Sequence, residues 1–232
     1  VLFSLAEGGI VSLTRNGKEL IALPPRPCYW RASTSNDIGW KFPQDSGIWA
    51  AADLLGRPIE HSYDIDPDRT MLTVRYRFHA PSLPRLDVAV SYTVNSKGEI
   101  LVSAQYNGIS GQPLLPEFGL RFALNKDLEY FSYFGRGPEE NYCDRNTGAA
   151  LGWYQTTVQD CLTPYAKCQE CGNRTEVRSF TLTDETGVGL SVQRLGEDTL
   201  EVSCLPVSAF ELENARHPSE LPQQHYTHLK VL

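Results

Sequence analysis

The 232-residue sequence predicts an all-β protein, built from two large antiparallel sheets packed face to face. Three observations carry this. Period-two alternation dominates: in MLTVRYRFHA, Leu72, Val74, Tyr76 and Phe78 share one face, and Thr73, Arg75, Arg77 and His79 the other. The alternating stretches are joined by turn residues at hairpin spacing. The aromatic content of 10% supplies sheet-packing side chains, and so many strands in a single twisted sheet would curl or split.

Taken in order, IVSLTRNGKELIAL turns at Asn16-Gly17, a pair suited to a type I′ turn because both central residues need positive φ. SGIWAAADLL, Ser46 to Leu55, is the nearest approach to a helix, followed by Ser208 to Glu213; neither reads as three full turns. After MLTVRYRFHA, the stretch RLDVAVSYTV places Leu86, Val88, Val90, Tyr92 and Val94 on one face. It turns at Asn95 to Gly98 and returns with Ile100, Val102, Ala104 and Tyr106. VRSFTLTDETGVGLSVQ forms another hairpin about Thr183 to Gly187. At the end, HYTHLKVL alternates Tyr226, His228, Lys230 and Leu232 with Thr227, Leu229 and Val231. It reads as a strand with an open edge, expected to fray from about His225 or to pair with another copy. Prolines and glycines fall between the strands without a linker-like run, so a single domain is expected.

The net charge of −7 argues against nucleic acid as a partner, because affinity for phosphate backbones rests on Lys and Arg. No apolar run has the roughly 20 residues a membrane helix needs, and no leader pattern opens the chain; the expectation is a cytoplasmic protein that is not bound to a membrane. With Met71 the single methionine and Val1 first, the sequence reads as an excised or processed piece. Six cysteines include Cys168-x-x-Cys171 with Cys161 nearby, but without a second paired knuckle the reading is buried free thiols and no metal. The Asn173-Arg-Thr175 sequon reads as an accidental match.

The stretch YFGRGPEENYCDRNTG, Tyr133 to Gly148, is the densest in charge and aromatics. Glycoside hydrolysis needs two carboxyl groups about 5 to 5.5 Å apart for retention or about 6.5 to 9.5 Å for inversion. Glu139 and Glu140 are neighbours that an extended backbone points to opposite sides, and Asp144 meets Glu140 only through a turn. The reading is a loop network in which Arg136 and Arg145 tie up the carboxylates; the alternative is a sugar-binding loop using the ring of Tyr133 or Tyr142. His61, His79, His217, His225 and His228 fall in no metal-ligand spacing, and no G-x-S-x-G elbow occurs.

Three long segments carry a resemblance. FGRGPEENYCDRNTGAALGWY is similar to an FGxGPxENYxDR signature, YAKCQECGNRTEVRSFTLTD to a PQExGxRxxVR segment, and VSLTRNGKELIALPPRPCYWRASTSNDIGW to an SLxxNGxELL…FWRAPTDNDxG segment. In that order they resemble the C-terminal small-chain β-sandwich domain of bacterial β-galactosidases of glycoside hydrolase family 2. The sequence departs from the pattern at Ser33, usually proline, at Ser35, usually aspartate, and at Cys168 and Cys171, usually proline and asparagine.

The resemblance implies a supersandwich like that of galactose mutarotase, over 1–232, packed against a TIM-barrel domain that carries both catalytic glutamates. It implies no catalytic residue and no cofactor in this chain; the magnesium and sodium ions the family often uses belong to other domains. Asn36, Asp37 and Gly39 are then the candidate substrate-binding residues, Gly39 as a hinge, at the rim of a pocket shared with the barrel and a β-galactoside. The family's GDDSWG-like segment, whose tryptophan stacks on sugar, would follow Leu232, so the domain is expected to be truncated before its final strands. Homo-oligomerisation is compatible with all of this. Rival readings are a free-standing carbohydrate-binding module and an aldose-epimerase-like enzyme, for which His61 and His79 are the open candidates.

Overall fold

The computed structural model describes residues 1–80, 86–108 and 110–232. The chain opens with two ribbons, β1 (Leu2–Ser4) with β2 (Gly9–Ser12) and β3 (Thr14–Arg15) with β4 (Lys18–Glu19), then β5 (Ile21–Cys28), α1 (Ser35–Gly39) and α2 (Phe42–Leu55). A meander follows: β6 (Arg57–Ile65), β7 (Met71–Ala80), β8 (Leu86–Asn95) and β9 (Ile100–Tyr106), hydrogen-bonded in sequence order. The remainder is β10 (Gly119–Asn125), β11 (Tyr130–Gly137), β12 (Ala150–Thr157), β13 (Asn173–Val177), β14 (Ser179–Thr183), β15 (Gly189–Gln193), β16 (Leu200–Leu205), α3 (Ala209–Asn214) and β17 (Tyr226–Val231). These strands form a five-stranded sheet, β13-β16-β17-β10-β5, and a four-stranded sheet, β12-β11-β14-β15; every strand pairing is antiparallel.

The alternation read from the sequence is what builds the core. Val74, Tyr76 and Phe78 of β7 face inward opposite Tyr92, Val90 and Val88 of β8, and all six are buried; the side chain of Leu86 lies outside the described residues. Val102 departs from its predicted face by being exposed. In the other four-stranded sheet, Phe131 and Tyr133 pair with Leu182 and Phe180, again all buried. Asn16 and Gly17 have φ of 51° and 77°, the type I′ combination, between Arg15 and Lys18.

Two expectations are corrected. α2 runs for 14 residues, longer than the three turns the sequence was read as lacking. The signal is missing because a helix is normally recognised by a polar face alternating with an apolar one. From Ser46 to Leu55 the only charged residue is Asp53, and it is buried. β17, read as an open edge, is an interior strand between β10 and β16, with Thr227 and Leu229 buried and Leu232 bonded through N and O to Glu201 at 2.9 and 3.0 Å. Fraying or self-association from His225 therefore has no open edge to start from there.

Candidate functional site

Between β5 and α2 the chain leaves the ladder, so its backbone N–H groups need partners from elsewhere. They find them in side chains drawn from distant segments. The N–H groups of Tyr29 and Trp30 donate to Asp53 of α2 at 2.8 and 3.2 Å. Ala32 donates to Glu170 at 3.1 Å, Ser33 to Glu213 of α3, and Ser35 to Gln169 at 3.0 Å. Thr34 donates to Asp37 at 2.8 Å. Ser33 also donates its hydroxyl to Glu213 at 2.9 Å; the proline usual here in the related pattern has no N–H to give.

Thr34 caps α1 in a reciprocal capping box, its hydroxyl accepting from the Asp37 N–H at 3.2 Å while Asp37 accepts from Thr34. Asp37 also receives the Arg31 guanidinium in a two-pronged contact, at 2.5 and 3.0 Å. Burial works to raise the Asp37 pKa; the Arg31 fork and the Thr34 donors outweigh it and hold the carboxyl below its ordinary range. Asp37 thus faces into its own loop and ties Arg31 and Thr34 to α1. Asn36 is exposed at the tip, and Gly39 is exposed with open space where a Cβ would sit, so sterics alone do not demand glycine there. Beside it stands Trp40, 83% exposed, which the sequence reading did not single out. Lys41 follows in the left-handed region with φ of 61° and turns the chain into α2.

Glu170 links this loop to a buried ion triad. Lys230 of β17 donates to Glu170 at 2.8 Å and to Glu117 at 2.8 and 3.2 Å, all three side chains being largely buried. Burial, offset by Lys230 but reinforced by the neighbouring Glu170, pushes Glu117 up to about 7. For Lys230 burial opposes the charge, and the two carboxylates more than compensate, raising its pKa.

In the stretch Tyr133 to Gly148 the expected network closes on Glu140 alone, while the Glu139 and Asp144 side chains are exposed and Arg136 turns to Glu176 outside the stretch. Glu140 accepts from Arg145 at 2.8 Å, Thr163 at 2.7 Å, the Gly172 N–H at 2.7 Å, and the Tyr165 hydroxyl. Burial raises its pKa, and these donors outweigh that, leaving it below the ordinary range. Arg136 pairs with Glu176 at 2.5 Å. Asn141 is buried and satisfied at both ends, by the carbonyls of Arg136 and Glu139 and by Thr175. A Cβ on Gly137 would run into the Tyr133 hydroxyl, and one on Gly135 into Val177, which is why glycines recur here. Tyr133 is fully buried against Phe131 and has no ring face for a ligand. The Tyr142 hydroxyl is buried and its ring lies under Arg145 at 5.3 Å.

Other sequence candidates separate in space. Cys161, Cys168 and Cys171 are buried free thiols, and among the described residues no three His, Cys, Asp or Glu come together as a metal-binding group. Asn173 is buried, its amide donating to the Asn141 carbonyl and to Glu201, so the sequon is inaccessible to a glycan. His61 and His79 lie on the solvent side of the meander, His79 facing Asp87 at 3.3 Å. No helix among the described residues is long and apolar enough to cross a membrane.

Comparison with known proteins agrees with the resemblance. The Beta galactosidase small chain family matches residues 1–232. A beta-galactosidase of Halalkalibacterium halodurans is 42% identical over the whole chain, which covers 23% of that protein, and one of Streptococcus thermophilus is 38% identical, with 22% covered. The beta-galactosidase small subunit of Latilactobacillus sakei is 36% identical over the whole chain, with 80% of that protein covered. The chain thus spans less than a quarter of the long relatives and most of the short one, and it belongs to the Beta galactosidase small chain family.

Proposed function

We propose that this chain is the non-catalytic domain of a retaining β-galactosidase, a hydrolase of terminal β-D-galactosides such as lactose. In this reading the acid/base and nucleophilic carboxylates lie in a partner TIM-barrel domain or subunit, and residues 31–40 form part of the rim of the pocket. One observation supports it above the others: six consecutive or near-consecutive backbone N–H groups, from Tyr29 to Ser35, are each held by a side chain. Such a segment is costly in charged groups for a connection that only joins β5 to α1. What it achieves is a rigid base from which Asn36, Ile38 and Trp40 project into solvent, the kind of preorganised support a binding rim needs. Within the rim, Asn36 is the polar group free to meet substrate, Asp37 fixes the loop, and Gly39 leaves room for movement beside them.

The test is hydrolysis of a chromogenic β-galactoside by the chain alone and by the chain assembled with its catalytic part. The chain alone should give background turnover, and the assembled enzyme full turnover. Turnover by the chain that survives further purification and is lost on mutating one of its own residues would overturn the reading. Tight micromolar binding of galactose or lactose by the chain alone would favour a carbohydrate-binding module instead, and mutarotation an epimerase.

A further inference from the structure

Among the described residues, α2 is a helix whose outward side carries no charge past its first turn. α2 buries Ser46, Trp49, Ala52 and Asp53 against the protein. At 100° per residue, the opposite side carries Gln44, Gly47, Ala51 and Leu55, flanked by Ile48 and Leu54. Beyond Gln44 this outer face holds no polar group, and Leu54 and Leu55 are 52% and 62% exposed. Past the first turn, where Gln44 and Asp45 are exposed, the outward side of α2 is uncharged and apolar, the kind of face a helix turns toward a packing partner. β6, which follows it in the chain, also exposes Ile59, Tyr63 and Ile65, but intersperses them with Arg57, Glu60, His61 and Asp64, with Glu60 and Asp64 paired to Arg77 and Arg75; the outer face of α2 has no charged residue among its apolar ones.

We infer that the outer face of α2 is a docking surface for the catalytic part of the enzyme, which covers Gly47, Ala51, Leu54 and Leu55 with apolar side chains. This rests on the functional reading above and adds to it the surface through which the two parts join. The small residues admit a close approach: a Cβ on Gly47 would meet nothing within 4 Å, so the space over the middle of the helix is open, with Ile48, Leu54 and Leu55 as its walls. The surface continues into the rim, because Trp40 and Ile38 lie immediately before α2, and α1 packs on α2. The occupant follows from size as well: the matching chains of Halalkalibacterium halodurans and Streptococcus thermophilus hold more than three quarters of their length outside the region this chain covers.

Cysteine accessibility in the intact enzyme tests the inference. Leu54→Cys and Leu55→Cys, at positions as exposed in this chain as Tyr63, are made in a Cys143→Ser background, with Tyr63→Cys on β6 as the control, and maleimide labelling is followed by peptide mass spectrometry. Labelling at 54 and 55 is expected to be at least 10-fold slower than at 63 and to stay slow on dilution. Equal rates in a preparation that hydrolyses β-galactosides would overturn the docking surface and leave the functional reading standing. Protection lost on dilution, with the catalytic part still attached, would assign the face to a second copy and overturn the inference. A preparation with slow labelling and no β-galactoside hydrolysis would remove the functional reading on which it rests.

Discussion

Asp37 and Glu140 are held in similar ways, each by an arginine, a hydroxyl and a backbone N–H that outweigh the effect of burial on its pKa. Their surroundings differ. Around Glu140 the carboxylate itself is enclosed: Arg145 and Tyr165 close over it, Asn141 beside it is buried, and glycines stand where side chains would collide, with only the outer side of Arg145 and the loop tip at Glu139, Cys143 and Asp144 in solvent. Around Asp37 the anchors lie underneath, and the residues beside it, Asn36, Ile38 and Trp40, face outward. The same ingredients thus make a structural corner in one place and a presented tip in the other. One short segment serves both, since Gln169 and Glu170 hold the tip while Gly172 holds Glu140.

The largest expected effect lies at the joint between the two regions. Lys230→Met leaves Glu117 and Glu170 buried without their cation and should destabilise the protein by about 3–5 kcal/mol at pH 8, read by urea unfolding. The pH dependence has a definite sign. Glu117 has a folded pKa of about 7, above the ordinary carboxylate value, so its contribution to stability is greatest at low pH and is lost as pH rises through 7. The penalty of Lys230→Met should therefore shrink toward pH 5, and a penalty independent of pH would show that the carboxylates are not what Lys230 neutralises.

Next in size, Glu140→Ala strands the Arg145, Thr163, Tyr165 and Gly172 donors and should cost about 2–3 kcal/mol of stability. In the assembled enzyme at a temperature where it remains folded, kcat/KM should not change; a fall there would move the Glu140 corner into the substrate site and erase the contrast with Asp37. The smallest effect concerns α3. Ser208 caps it in a second capping box, so Ser208→Ala should cost about 1 kcal/mol. Because α3 carries Glu213, hydrogen exchange at the Ser33 amide should accelerate with it; unchanged exchange would mean that the rim does not depend on α3.

Much of this was readable from residue order alone. Alternation in β7 and β8, the Asn16-Gly17 turn and the Arg145–Glu140 pair depend on near neighbours, whereas the other donors to Glu140 come from 23 to 32 residues away and Arg136 pairs with Glu176, 40 residues on; the candidate rim residues emerged through family resemblance. The supports of the rim did not, because Ala32 and Glu170 are 138 residues apart and Ser33 and Glu213 are 180 apart. Lys230 sat in an alternating strand with nothing local to say that it is buried between two carboxylates. α2 escaped recognition for the reason it is informative: its outward face is as apolar as its inward one, so no amphipathic period existed to detect.

In the proposed function, residues 31–40 present a substrate-facing rim whose geometry Asp37 maintains. The most direct measurement is kcat/KM for lactose in the assembled enzyme carrying Asp37→Ala, with kcat and KM resolved separately and Asp37→Asn as the conservative companion. A loss worth about 1–3 kcal/mol of transition-state stabilisation is expected for the alanine variant, largely restored by asparagine, which keeps an acceptor for the Thr34 N–H. Wild-type kinetics in a folded Asp37→Ala enzyme would contradict it.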